Sequence, residues 1–528
     1  MKLHVDYRLY LVTDSTDAIL HGRDLSSGVT VVQYRDKTSD TATLIATAKR
    51  LHLICEEQGA RLLINDRVDV ALAVGCAGVH IGQDDMDVQT ARQLLGNDKI
   101  IGVTVSSTQQ ALVAARAGAD YLGIGTIYAT PTKKDTKSII GVPGLRTILQ
   151  FLGNHQLKEC QNISTVCIGG INASNVQTVI YQSYAPLMGQ NPPKKLDGVA
   201  IVSAIMGADD PRRAADRLFN LTNDPPPFAS FAAPLIPPEW AKPIHIKQLL
   251  ESVPMIIKKV SKLNPLCHNM TNLVVQNIAA NVALSIGASP IMSTSGDEAA
   301  ELARTGAGLV INMGTSTAVG IQPYVTALRA YNHEGRPVVL DPVGAGATTP
   351  RRTALKTLMA AGYFDLIKGN ENEILTVLGA GDTKQRGVDS GPSNKTVHER
   401  SKIVAELASR ERNVVLMTGK IDFLSDGTRT YTIRNGHPYL GMITGSGCTL
   451  GTTIAAFVAA HPEDKLLAAL AGILLFEIAA QRAAVRIDVK GPGTFVPAWL
   501  DELYLCRKEV LDGQAEWLGA ADVLPCIT

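Results

Sequence analysis

Val29-Thr30-Val31-Val32-Gln33-Tyr34-Arg35-Asp36-Lys37 decides how the first part of this chain folds. Its β-branched half reads as a buried strand, and it breaks abruptly into polar and charged residues. Comparable runs recur at Arg8–Thr13, Val29–Tyr34, Arg61–Asn65, Gly78–Ile81, Ile100–Thr104, Tyr121–Gly125, Thr165–Ile168 and Gly198–Val202, with helical stretches between them. Eight such strands predict a parallel (β/α)8 TIM barrel, although a doubly wound sheet would also alternate strands and helices. Polar residues gather where the strands end: Gln33 to Lys37, Asn65-Asp66, Gly82 to Asp85, Thr104, Thr130 to Lys133, Gly169-Gly170 and Ser203. Barrel enzymes build their active sites on that face.

The whole chain has 528 residues, enough for several units at a prior of ~150 residues each. Fifty basic against forty-nine acidic side chains give a net charge of +1. That balance argues against a nucleic-acid binder or a membrane-surface protein that relies on a basic field. Eight cysteines are scattered without a CxxC spacing, so neither a disulfide framework nor a zinc site is expected. The start lacks the long apolar stretch of a signal peptide. The most apolar region, Leu466 to Ala480, covers 15 residues and contains Glu477; it is too short for a bilayer and predicts a buried helix. A cytoplasmic protein is expected.

One compositional break stands out at Asn223-Asp224-Pro225-Pro226-Pro227, followed by Pro234, Pro237, Pro238 and Pro243. Proline fixes φ and removes a backbone donor, so this stretch predicts a semi-rigid linker over 223–245 between domains at 1–222 and 246–528. A long loop inside one domain is the alternative. Beyond it, Leu309–Met313, Val338–Leu340, Asp365–Ile367 and Val414–Met417 read as buried parallel strands, each followed by a turn rich in Gly or Asn. Ligands of open α/β sheets bind at the carboxyl ends of strands, so these turns should line one crevice.

In the first half, Gln33, Arg35 and Lys37 alternate and point the same way from a strand end. Three donors, two of them cationic, suit a phosphate or diphosphate, and Lys133 adds another. Asp66 and Asp85 end successive strands and could share Mg²⁺ with substrate phosphates. Gly170 and Ser203 occupy the usual phosphate corner of a barrel. The plainer alternatives are a solvated strand end for Arg35 and Lys37 and a helix cap for Asp66. Together, Gln33-x-Arg35-x-Lys37, Asn65-Asp66-Arg67, Gly78-Val79-His80-Ile81-Gly82-Gln83-x-Asp85, Thr130-x-Thr132-Lys133 and Ile168-Gly169-Gly170-Ile171 resemble thiamine phosphate synthase over about residues 7 to 210. The resemblance implies a barrel joining hydroxymethylpyrimidine diphosphate to hydroxyethylthiazole phosphate. It assigns Gln33, Arg35, Lys37, Asn65, Thr104 and Lys133 to the pyrimidine diphosphate, and Asp66 and Asp85 to Mg²⁺. Thr130, Thr132, Gly170, Val202 and Ser203 go to the thiazole phosphate. Thr104 stands where the family more often has Ser, and the polar stretch 181–195 is an insertion without an assigned role.

In the second half, Thr444-Gly445-Ser446-Gly447-Cys448 precedes a helical run. Glycines opening a helix expose unpaired N–H groups, an anion hole for phosphate. No GxxxxGK[ST] occurs, which disfavours a P-loop enzyme. Cys448 falls in the first helical turn, where the dipole is expected to lower a thiol pKa; a small buried helix residue is the alternative. Asn370 and Glu373 share a helix face and could position Mg²⁺, unless Asn370 only caps the helix; Asp341 is a second candidate. His268 to Asn272, Gly287 to Met292, Asn312 to Thr315, Asp341 to Thr348 and the Gly445–Cys448 loop resemble hydroxyethylthiazole kinase over about residues 250 to 505. The resemblance implies a ribokinase-like α/β domain that phosphorylates the thiazole's hydroxyethyl group with MgATP. In it Cys448 is the general base, Met270 and Gly445 contact the thiazole, Arg351 and Thr418 contact ATP, and Asp341 and Glu373 lie near Mg²⁺. Lys368-Gly369-Asn370 replaces an Arg-Gly-Asn common in bacterial relatives, and 382–398 reads as a surface insertion.

The kinase product is the synthase's second substrate, and a fusion in this order resembles the fungal family of bifunctional thiamine-biosynthetic enzymes. Kinases of this group form trimers with active sites between subunits, so the resemblance implies a homo-oligomer built on trimers, with a hexamer plausible. The rivals are a binding or regulatory protein with one inactive half, and a kinase half acting on hydroxymethylpyrimidine or pyridoxal.

Overall fold

The computed structural model describes residues 5–13, 28–130, 139–184, 194–230, 246–314, 319–379 and 394–526. The chain divides into two compact units between Pro226 and Pro227, within the proline-rich stretch. The helix Pro211–Asn223 closes the first unit. Phe228, in a short turn at Pro227–Ala229, is buried in the second and stacks on Tyr363 at 4.9 Å between ring centroids. Residues 231–245 of the expected linker lie outside the described residues.

The first unit is a closed barrel of eight parallel strands. They are β1 (Leu9–Val12), β2 (Val31–Tyr34), β3 (Arg61–Asn65), β4 (Gly78–Ile81), β5 (Ile100–Val105), β6 (Tyr121–Gly125), β7 (Ser164–Ile168) and β8 (Gly198–Ile201). Pairing of β1 with β8 closes the ring. The pleat sorts side chains by parity. Leu9 and Leu11 face the surrounding helices, whereas Tyr10 and Val12 face an interior core with Val31, Leu63, Tyr121 and Val166. Tyr121 reaches the barrel axis because its neighbour is Gly102, where a Cβ would fall inside the Tyr121 ring. Several helices start on an acidic or hydroxyl cap: Asp40 accepts from the Thr43 amide, Asp87 from Thr90 and Ser107 from Gln110.

The second unit is a nine-stranded sheet. Six strands are parallel: β9 (Leu266–Met270), β10 (Ser289–Ile291), β11 (Gly308–Asn312), β12 (Val338–Asp341), β13 (Leu366–Asn370) and β14 (Val414–Thr418). An antiparallel extension adds β15 (Asp422–Ser425), β16 (Thr430–Ile433) and β17 (Val523–Pro525), in the order 10-9-11-12-13-14-15-16-17. Alternate residues of the central strands enter two helical layers: Val310, Val339 and Leu416 go to one, and Ile311, Leu340 and Met417 to the other. Burial on both faces explains why these strands read as continuous apolar runs. The apolar stretch at 466–480 is part of the helix Lys465–Ala484. That helix is long and apolar enough to cross a bilayer, yet 83% of its most apolar window is buried in the protein. All eight cysteines are free thiols.

Candidate active sites

At the barrel mouth, Gln33 ends on the interior face of β2 and is buried. Its Nε2 donates to the Tyr10 hydroxyl at 2.7 Å, which lies 2.7 Å from the Tyr121 hydroxyl. Tyr121 is 2.7 Å from His80 Nδ1, and His80 Nε2 is 2.8 Å from Thr104 Oγ1. A hydrogen-bonded chain thus crosses the barrel and joins two residues expected to hold one substrate. Burial pushes the phenols of Tyr10 and Tyr121 well above the usual range. Tyr10, His80 and Tyr121 had no role assigned from sequence, although Val79 and Ile81 lie in the outer core and parity alone turns His80 inward.

The charged residues lie further out. Lys37 Nζ pairs with Asp66 Oδ2 at 3.1 Å, and over half of the lysine side chain is exposed. Asp66 stands at φ 61°, a left-handed turn that Asp tolerates, and its amide donates to the His80 carbonyl. Asp85 accepts the Gly82 amide at 2.7 Å and hydrogen-bonds Asp66. Burial, then that neighbouring carboxylate, raises the Asp85 pKa. Arg35 is half-buried after β2, its amide donating to Thr13 Oγ1, and Asn65 ends β3. On the opposite side, Gly170 follows β7 at φ 67°, its carbonyl accepting from Asn175 Nδ2. Val202 and Ser203 follow the adjacent β8, and Thr130 is half-buried beyond β6. Thr132 and Lys133 lie outside the described residues.

In the second unit a cavity of about 610 Å³ opens at the carboxyl ends of β12, β13 and β14. Asp341 ends β12 and is fully buried. Its Oδ2 accepts from Asn312 Nδ2 and from Lys368 Nζ, each at 2.9 Å, while its Oδ1 is buried without a partner. Lys368 also donates to the Gly447 carbonyl at 2.8 Å, tying the strand ends to the glycine loop. Burial alone would depress the lysine, but Asp341 and then Cys448 and Glu373 outweigh it and the net shift is upward. From sequence Lys368 stood only as a replacement for Arg, without a role.

Gly445 stands at φ 87° with its Cα against Val275, where a Cβ would clash. It opens the helix Ser446–Ala460, which no side chain caps, so the amides of the first turn face the cavity lined by Gly445 to Cys448. Asn272 Nδ2 donates to Cys448 Sγ at 3.4 Å and to Asn312 Oδ1 at 3.1 Å. The Cys448 thiol is raised, not lowered: burial and the Asp341 charge outweigh Lys368 and the two amide donors. Its half-buried position beside Asp341 thus acts in the direction opposite to that expected of the helix terminus.

Glu373 and Asn370 form a capping box, and Glu373 accepts the amides of Gly344 and Asn370, each at 2.8 Å. Burial, and next the charge of Asp341, push its carboxyl up to about 7. Thr418 lines the cavity. Met270 and Arg351 are not among its lining residues. Met270 is fully buried in the core opposite Ile311, and the Arg351 guanidinium is engaged by the carbonyls of Met313, Val343 and Gly314 at 2.7 to 3.1 Å.

Residues 9–205 match the Thiamine monophosphate synthase family, and residues 257–509 match the Hydroxyethylthiazole kinase family. A probable thiamine biosynthetic bifunctional enzyme of Schizosaccharomyces pombe is 43% identical, with 99% of each chain covered. The thiamine biosynthetic bifunctional enzyme of Saccharomyces cerevisiae is 36% identical, covering 95% of this chain and 96% of the other. A hydroxyethylthiazole kinase of Pyrococcus furiosus is 41% identical, over 49% of this chain and 94% of its own. With both units matched in order and the likeness running the length of the chain, this protein belongs to the family of bifunctional thiamine-biosynthetic enzymes, a thiamine monophosphate synthase followed by a hydroxyethylthiazole kinase.

Proposed function

We propose that the two halves act in series in the cytoplasm. The kinase, within 246–528, phosphorylates the hydroxyethyl group of 4-methyl-5-(2-hydroxyethyl)thiazole with MgATP. The synthase, within 1–222, joins the product to hydroxymethylpyrimidine diphosphate and releases pyrophosphate. The observation that carries this reading is the buried Asp341–Lys368–Gly447 connection, which holds the open helix turn at Cys448 beside the strand ends.

In the kinase, Cys448 accepts the proton of the substrate hydroxyl as its oxygen attacks the terminal phosphorus, and ADP departs. The amides of the first turn of Ser446–Ala460 take up charge on the transferred phosphoryl group. Gly445 and Met270 face the thiazole and Arg351 and Thr418 the nucleotide, while Lys368 adds a buried cation beside them. The Asp341 oxygen left without a partner, with Glu373 behind it, fits a Mg²⁺ requirement. In the barrel, Asp66 and Asp85 form an adjacent carboxylate pair that suits the same ion, since Mg²⁺ usually takes one or two carboxylates and substrate phosphates. At both sites the ion would neutralise phosphate charge. Gln33, Asn65 and Thr104 orient the pyrimidine, and Arg35, Lys37 and Lys133 hold its diphosphate as the C–O bond breaks and the thiazole nitrogen attacks the methylene. Thr130, Thr132, Gly170, Val202 and Ser203 receive the thiazole phosphate. No protein nucleophile is needed.

A homo-oligomer built on kinase trimers is part of this proposal. Leu273, Val274 and Met442 are 74%, 70% and 62% exposed, and Val274 and Met442 line the cavity. Light scattering that gives a monomer overturns the assembly. The function is tested by incubating the protein with hydroxyethylthiazole, pyrimidine diphosphate and Mg²⁺, with and without ATP, and assaying thiamine phosphate by mass spectrometry. Product is expected only with ATP; its absence in both arms refutes the series.

A further inference from the structure

Behind the kinase cavity lie two carboxyl groups that the chemistry above leaves unused. Asp422 opens β15 and is 4% exposed; Glu477 lies midway along the helix Lys465–Ala484 and is 6% exposed. Their side chains hydrogen-bond each other, and Glu477 Oε2 is buried without a further partner. Two carboxylates in one dry contact cannot both stay ionised, and burial pushes Asp422 up to about 6 and Glu477 well above the usual carboxylate range. A hydrogen bond between two carboxyls also requires one proton to serve as the donor.

Each partner reaches a segment that lines the cavity. Asp422 Oδ1 accepts the Gly419 amide at 2.8 Å, and Thr418 and Gly419 form one wall. Glu477 lies against Gly436, where a Cβ would come within 3.8 Å of its carboxyl carbon. One helical turn on, Gln481 accepts from Asn435 Nδ2 at 2.9 Å. From Gly436 the chain runs into Leu440, Gly441 and Met442, another wall, and Leu440 O accepts from Ser446 Oγ at 2.6 Å at the glycine loop. A single buried contact therefore joins the strand-end turn to the helix against which the opposite loop packs.

We propose that Asp422 and Glu477 are positioning residues that share one proton, and that the contact fixes the Gly419 amide and so sets the Thr418–Gly419 wall for the nucleotide. This rests on the reading of Thr418 as an ATP contact. Glu477→Gln keeps a donor for the Asp422 carboxylate, whereas Glu477→Ala leaves that buried carboxylate with the Gly419 amide but no side-chain donor.

The test compares steady-state kinase kinetics of the full chain and its Glu477→Ala, Glu477→Gln and Thr418→Ala variants, with amide hydrogen exchange over 418–422 and the synthase reaction as a control for folding. Glu477→Ala is expected to raise the KM for ATP about ten-fold, the loss expected of one buried hydrogen bond, with kcat and the KM for thiazole within about two-fold. Exchange at Gly419 should quicken, and Glu477→Gln should restore both readouts. Equal changes in kcat and both KM values, or unchanged exchange at Gly419, overturn the positioning role. If Thr418→Ala leaves the KM for ATP unchanged while exchange at Gly419 still depends on Glu477, the nucleotide reading fails and the proton-sharing clamp stands. Should Glu477→Ala not fold, Asp422→Ala removes the Gly419 acceptor directly and must give the same split.

Discussion

The two halves handle anionic substrates with opposite electrostatic plans. At the barrel mouth the Lys37–Asp66 pair stays in contact with water, its lysine side chain 56% exposed. Such a pair is cheap to assemble and screened by salt. In the kinase the corresponding pair, Lys368 and Asp341, is 4% and 1% exposed and bound into Asn312 and Gly447. A buried pair acts at low dielectric and is costly to leave half-made. On the proposed assignments the barrel would complete its charged site only around the incoming diphosphate, whereas the kinase pair is already built and its integrity is also a matter of folding.

That contrast can be broken most sharply at the base of the kinase reaction. Cys448→Ala should lower phosphorylation by about 10²- to 10⁴-fold, the usual contribution of a general base, while coupling of supplied thiazole phosphate persists. Unchanged phosphorylation removes Cys448 from the chemistry. Next in size is the buried cation. Lys368→Met strands Asp341 and should cost the kinase unit about 3–5 kcal/mol of stability, seen as an early transition in calorimetry. Asp85→Ala should cripple coupling yet leave both melting transitions nearly in place; equal destabilisation by the two variants would erase the distinction drawn here. The acid–base side follows from the raised Cys448 thiol. In the proposed mechanism the thiolate is the proton acceptor, and its population grows with pH, so kinase kcat should climb from neutral toward pH ~9 by up to ten-fold per unit. A flat profile would place the acceptor elsewhere. The smallest expected effect is Tyr121→Phe, which interrupts the chain across the barrel and should cost about 1–2 kcal/mol with a few-fold rise in the KM for pyrimidine diphosphate.

Much of the fold could be read from the chain because buried parallel strands have no polar face to blur them. The eight barrel runs expected from sequence lie within one or two residues of β1 to β8, and β11 to β14 were found for the same reason. The strands that escaped are the ones that break that pattern. β9 buries His268 and Asn269, β10 is three residues with a central proline, and β15 and β16 bury Asp422, Ser425, Thr430 and Thr432. The polar clusters at strand ends were equally plain. What composition and spacing could not supply was depth. The rise in the Cys448 thiol, the withdrawal of Met270 into the core and the commitment of Arg351 to three carbonyls all depend on what surrounds a residue in space. Lys368 shows the converse: a residue registered only as a replacement becomes the cation of the site once its two partners are seen.

The hydrogen-bonded chain inside the barrel has a direction. The Gln33 amide nitrogen can only give a proton to Tyr10, so Tyr10 must give its own to Tyr121, and Tyr121 to His80 Nδ1. That leaves His80 in its Nε2–H tautomer, donating to Thr104 Oγ1. The threonine hydroxyl hydrogen and the Gln33 side-chain oxygen are then the two groups at the ends that the chain itself does not use. The run of protons therefore leaves one donor at the Thr104 end and one acceptor at the Gln33 end, with every link between them already decided.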